Sequence, residues 1–194
     1  MKPTSVLLLL PAAASCVLAQ TAPQPSSDRE WRQAELRDPA DTYTFTRFTL
    51  VGKFRSPPPG AAADRPALRL DCIPAAGSHR AKFLAADLLV GTALKIVYVE
   101  PEEIRGTNYF PKIAVRYHTD GSGEKVRNWE AGTDRIPTAK PSDKSSATIP
   151  RDALKRLLRA HSVVITVDDE HGSPVEMQFD IPDPMAVEAA CNVK

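Results

Sequence analysis

Leu68, Leu70 and Cys72 alternate with Arg69 and Asp71. Alternation with period two sends one set of side chains into a core and the other toward solvent, the pattern of a strand with one buried face. The signature recurs. Ile113, Val115 and Tyr117 alternate with Ala114, Arg116 and His118, then Asp120-Gly121-Ser122-Gly123 supplies a turn and Lys125 to Trp129 returns. That spacing predicts a β-hairpin. Tyr43 to Phe54 is dense in aromatic and β-branched residues, but its apolar positions change parity, with Tyr43 and Phe45 on one face and Phe48, Leu50 and Phe54 on the other. A bulge between Thr46 and Arg47 accounts for such a switch. Lys82 to Leu89 and Leu94 to Val99, around Gly91, are further strand candidates, although the first has the composition of a short helix as well. Val163 to Val167 and Val175 to Phe179 flank an Asp168 to Pro174 turn.

A helical period emerges only near the end of the chain. Across Pro150 to Ala160, Ala153, Leu154, Leu157 and Leu158 line one face, and Pro150 suits a first helical turn. Pro182 and Pro184 break the chain before a short helix over Met185 to Cys191. Ser56 to Pro66, with three consecutive prolines, reads as a surface loop, as does the polar, proline-bearing Thr133 to Ser146. With about eight short strands at hairpin spacing and little room for βαβ units, the expected fold is mainly β. It is an antiparallel β-sandwich or partly open barrel with one appended helix (about 150–160) and a short C-terminal helix.

The amino terminus leads to the expectation that this fold lies outside the cytosol. Lys2, an apolar run from Val6 to Ala14 and the small-to-moderate Val17-Leu18-Ala19 before Gln20 form the layout of a secretory signal peptide. The expected organisation is therefore a signal over 1–19, a flexible tail over 20–30 and a single β-rich domain over 31–194, periplasmic or secreted. A competing route is open: Ala13-Ala14-Ser15-Cys16 loosely resembles the lipobox of bacterial lipoproteins, which would leave the protein membrane-anchored through an acylated Cys16. No later run approaches the roughly 18 to 20 apolar residues of a membrane helix, so no transmembrane segment is expected in the mature chain.

Charge excludes a further class. Of 25 basic and 24 acidic side chains, residues 1–19 hold one, Lys2, so the mature chain is formally neutral. Nucleic-acid binding draws its affinity from a basic excess or stripe. The densest basic cluster, Lys155, Arg156 and Arg159, is the outer face of the expected helix.

Three cysteines are present, and Cys16 lies in the signal. An even remainder, Cys72 and Cys191, in an exported chain reads as a structural disulfide; two buried free thiols are the alternative. In the chain-entropy view, closing a loop on the order of 100 residues contributes about 4–5 kcal/mol.

Chemistry is sparse by comparison. Gly121-Ser122-Gly123 lies between two strands and lacks the strand-turn-helix setting of a nucleophile elbow. His79, His118, His161 and His171 show no metal-ligand spacing and there is no CxxC; no cofactor is expected. Asp168-Asp169-Glu170 is the most concentrated acidic patch but lacks the ligand spacing of a calcium loop. With Glu100, Glu102 and Glu103 it supplies the candidate acids of an alternative reading, a small envelope hydrolase. Trp129, with Arg127 and Arg116 on the same hairpin, is the candidate interaction surface, since exposed aromatic and arginine side chains anchor protein interfaces. The competing reading packs Trp129 into the core.

The order of these features resembles that of exported VasI-like proteins associated with type VI secretion and related bacterial envelope proteins. The likeness runs over roughly residues 31–193. It rests on a tryptophan before the first strand, Leu68-Arg69-Leu70-Asp71-Cys72, Val115-Arg116-Tyr117 with Trp129 downstream, the Leu154 to Val167 helix and strand, and the Phe179 to Cys191 close. An arginine-aspartate pair after Val115 is missing, and the proline-rich loop before Leu68 is longer. The resemblance implies the β fold, the cysteine pairing and an accessory role. The expectation is a domain that binds another envelope or secreted protein without catalysis.

Overall fold

A computed structural model describes residues 29–37, 44–58, 65–73, 82–97, 111–120, 122–132 and 145–193. Ten strands occur in chain order: β1 (Arg32–Arg37), β2 (Thr44–Val51), β3 (Lys53–Ser56), β4 (Ala67–Ile73), β5 (Lys82–Leu89), β6 (Lys112–Thr119), β7 (Lys125–Gly132), β8 (Ser146–Thr148), β9 (Ser162–Asp168) and β10 (Pro174–Asp180). Helix α1 (Arg151–Leu158) joins β8 to β9, and α2 (Met185–Cys191) follows β10. The strands form one antiparallel sheet in the order β1-β2-β4-β5-β8-β7-β6-β9-β10-β3.

This order makes the sheet a partly open barrel. β2 is second from one end, yet the chain passes from it through Gly52 directly into β3, the strand at the other end. A single bent strand therefore ties the two ends together. Glycine is required at the bend by close approach: a Cβ on Gly52 would lie 2.5 Å from the Phe179 ring and 2.8 Å from the Gln178 carbonyl oxygen on β10. The bend leaves no backbone group idle. Gly52 N–H donates to the Pro66 carbonyl at 2.7 Å, and the Gly52 carbonyl accepts from Arg65 Nε and Nη2 at 3.2 and 2.9 Å.

The alternating positions face a common core. Phe48 and Leu50 of β2, Leu68, Leu70 and Cys72 of β4, Ile113, Val115 and Tyr117 of β6, and Val175, Met177 and Phe179 of β10 are all buried in one cluster. From α1, Ala153, Leu154, Leu157 and Leu158 join it, as the helical spacing predicts. Asp152 in the first turn and Lys155 and Arg156 in the last match the helix dipole. From α2, Val187 and Cys191 enter the same core, followed by Val193. Asn192 closes α2 in the left-handed region at φ 53°, its N–H bonded to the Glu188 carbonyl at 2.9 Å, a conformation asparagine tolerates at helix ends.

Three sequence expectations change. No bulge separates Thr46 from Arg47: β2 pairs without interruption with β1 over Thr44 to Thr49 and with β4 over Thr46 to Val51. Thr46 itself takes the buried inward position, leaving Phe45 on the outer face, so no parity switch is needed. The shift falls instead between β4 and β5, at Asp71 and Cys72. Of the expected Leu94 to Val99 strand, Leu94 to Val97 form none, because Leu94 bridges Asp169 and Val97 bridges Lys112, two partners on different segments, and residues 98 and 99 lie outside the described residues. Strands β1 and β8 add to the expected set: residues 32–37 carry no strand expectation, and of β8 only Ser146 falls in the expected Thr133 to Ser146 loop. No helix of the described residues is long and apolar enough to cross a membrane.

Candidate functional site

The β6–β7 hairpin carries the residues singled out for recognition. Its register sets Ile113 opposite Trp129, Val115 opposite Arg127 and Arg116 opposite Val126. Residues opposite one another share a face, so Arg127 stands on the side of Trp129 while Arg116 and Val126 stand on the other. Trp129 is wholly buried, its ring tilted at 46° to that of Tyr117 with centroids 5.8 Å apart. Of the two readings of Trp129, the core one holds. The interaction surface of Trp129, Arg127 and Arg116 is corrected accordingly: the indole's large apolar area goes inward with Ile113, and the two arginines occupy opposite faces. Arg127 is exposed and donates to the Val126 carbonyl at 2.9 Å. Arg116 donates to Asp168 at 2.9 Å.

That last bond also engages one of the candidate acids. Asp169 is buried and its Oδ1 accepts from the backbone N–H groups of His171 and Ser173 at 3.0 and 2.7 Å. Gly172, at φ 83°, completes this tight turn. Glu170 is exposed, 3.7 Å from His171. Each member of Asp168-Asp169-Glu170 thus belongs to the β9–β10 turn or to a cross-strand pair. Glu100, Glu102 and Glu103, like Cys16 and His79, lie outside the described residues. Ser122 bonds Thr119 within its turn through both backbone and side chain. Among the described residues, no group of three or more His, Cys, Asp or Glu is arranged to hold a metal.

His161 and Asp120 form a second polar junction, where the β6–β7 turn meets the entry to β9. Asp120 Oδ1 accepts from the backbone N–H groups of His161 and Ser162 at 2.9 and 3.0 Å, and Oδ2 lies 3.1 Å from His161 Nδ1. The Ser162 N–H, with help from His161, holds the Asp120 carboxyl below its ordinary value of 3.8.

Elsewhere several of the sheet's charges are matched across neighbouring strands. Arg47 of β2 grips Asp71 of β4 through two bonds of 2.8 and 2.7 Å. Arg69 of β4 reaches Asp87 of β5 at 3.0 Å, and Thr148 of β8 donates to the same carboxylate at 3.2 Å. Lys112 of β6 meets Glu130 of β7 at 2.8 Å, and Arg55 of β3 meets Glu176 of β10 at 3.1 Å. On β1 no charge is matched in this way. Arg32, Glu35 and Arg37 are exposed and make no ion pair among the described residues, and the outer edge of β1 is an end of the sheet. Sequence reasoning passed over this strand, although Arg-Gln-Ala-Glu-Leu-Arg carries charge on both parities, as an edge exposed on both faces does.

Cys72 on β4 and Cys191 at the end of α2 stand at disulfide-bonding distance, with Cα atoms 5.1 Å apart and both side chains fully buried. They are 119 residues apart in sequence. No family model, no curated protein and no solved structure matches the chain.

Proposed function

We propose that this protein is an exported accessory domain, periplasmic or secreted, that binds another protein or an envelope component without catalysing a reaction. The observation that carries the reading is the Cys72–Cys191 pair. Two fully buried sulfurs, brought to bonding distance from distant points of the chain, suit an oxidising compartment, and the signal-like layout of residues 1–19 supports the same destination. The engagement of Asp168 and Asp169 in structural bonds supports binding over hydrolysis. An accessory role also agrees with the type VI secretion-associated proteins that the chain resembles.

The mature protein, tagged and used as bait in envelope extract, is expected to retain a specific partner that an unrelated disulfide-bonded β domain does not. Hydrolytic turnover by the purified protein, lost on changing Glu100, Glu102 and Glu103 or Asp168 and Glu170 to amides, would contradict this reading. Mass spectrometry of the mature amino terminus separates a start at Gln20 from a lipidated Cys16.

A further inference from the structure

We infer that the outer edge of β1 pairs antiparallel with the same edge of a second copy of this chain, forming a two-fold dimer centred on Leu36. This rests on β1 and its neighbour β2 and is independent of any partner in the envelope. At several strand boundaries of the sheet opposite charges meet: Arg47 with Asp71, Arg69 with Asp87 and Lys112 with Glu130. β1 carries the same kind of residues with nothing opposite them on its outer side among the described residues.

Symmetry restricts what can lie there. A two-fold axis perpendicular to a sheet sets one residue of an antiparallel edge opposite its own copy, and an isologous contact repeats every pair. Arg32, Glu35 or Arg37 on the axis would oppose like charges, which is destabilising. Ala34 on the axis leaves the three charges facing neutral residues, and Gln33 on the axis sets Arg37 opposite the partner's Arg29. With Leu36 on the axis, Glu35 faces the partner's Arg37 and Arg37 faces the partner's Glu35. Opposite charges then meet twice.

The other face of β1 favours the same register. Leu36 is opposite Phe45 of β2, and both are only half-buried. Pairing through Leu36 continues this into an apolar strip of Phe45, Leu36, the partner's Leu36 and the partner's Phe45 across the joined sheet. Charged side chains on an edge strand ordinarily resist pairing; β1 carries both signs, in an order that this register makes complementary to itself.

Sedimentation velocity over a concentration series of the secreted chain tests this. A reversible dimer is expected, with E35R or R37E alone raising its dissociation constant roughly tenfold or more, because each sets like charges opposite twice. The double variant E35R/R37E reverses both signs, and dimerisation should return toward the wild-type value. Both side chains are exposed, so the circular dichroism of all three variants should match wild type. A chain that stays monomeric up to on the order of 100 µM, a dimer indifferent to E35R, or a double variant no better than the singles would overturn the proposal.

Discussion

Gly52, where the chain passes from β2 into β3, approaches Phe179 of β10 so closely that only a residue without a Cβ fits between them. A methyl group at Gly52 would meet the ring at 2.5 Å and the Gln178 carbonyl oxygen at 2.8 Å. The carbonyl is backbone and cannot step aside without moving β10 away from β3. Gly52→Ala is therefore expected to destabilise the fold by about 1–3 kcal/mol through overpacking. Urea unfolding followed by circular dichroism measures this, and an unchanged midpoint would mean that β3 does not depend on the close approach.

Trp129 and Arg127 share a face of β7 but not an environment. Trp129→Ala should cost about 3–5 kcal/mol, the range for removing a fully buried large aromatic side chain. Arg127→Ala should stay within about 0.5 kcal/mol of wild type, as exposed substitutions do. Parallel denaturant titrations of the two variants separate the core residue from the surface one.

Asp120 predicts a pH signature. Its carboxyl is held below the ordinary value of 3.8, chiefly by the Ser162 N–H. A group with a depressed folded-state value stabilises above its unfolded value and loses that contribution as pH falls through the folded one. The difference in melting temperature between wild type and Asp120→Asn should thus be largest near neutral pH and shrink in acid below 3.8. A difference that grew on acidification would carry the wrong sign.

Most of this fold is written in the period-two pattern. Leu68, Leu70 and Cys72, or Val175, Met177 and Phe179, read correctly because one face of their strands is buried and the other is wet. β1 and β8 escaped the same reading for physical reasons. β1 is exposed on both faces, so nothing selects an alternation, and β8 has three residues, too few for a period to show. The bend at Gly52 was illegible because its cause is Phe179, a residue distant in sequence. Trp129 drew attention as an interface residue since a single tryptophan has no parity of its own; its opposition to Ile113 decides the matter. The cysteine pairing was legible from number: two cysteines stand outside residues 1–19.

The Cys72–Cys191 pair ties the last helix to the fourth strand, and the mutational consequence is large. Cys191→Ser is expected to destabilise the protein by about 2–5 kcal/mol, the usual range for a native bridge in an exported domain. In the wild type, reductant should lower the unfolding midpoint in denaturant, while in the variant it should have no effect on stability.

Alkylation of the protein taken from its own compartment, under denaturing conditions without reductant, tests the account most directly. The mature chain should begin after residue 19 and take up no label at Cys72 or Cys191 until a reductant is added. An uncut precursor in the cytosol, labelled at both cysteines at once, would contradict the account of an exported, internally bridged domain.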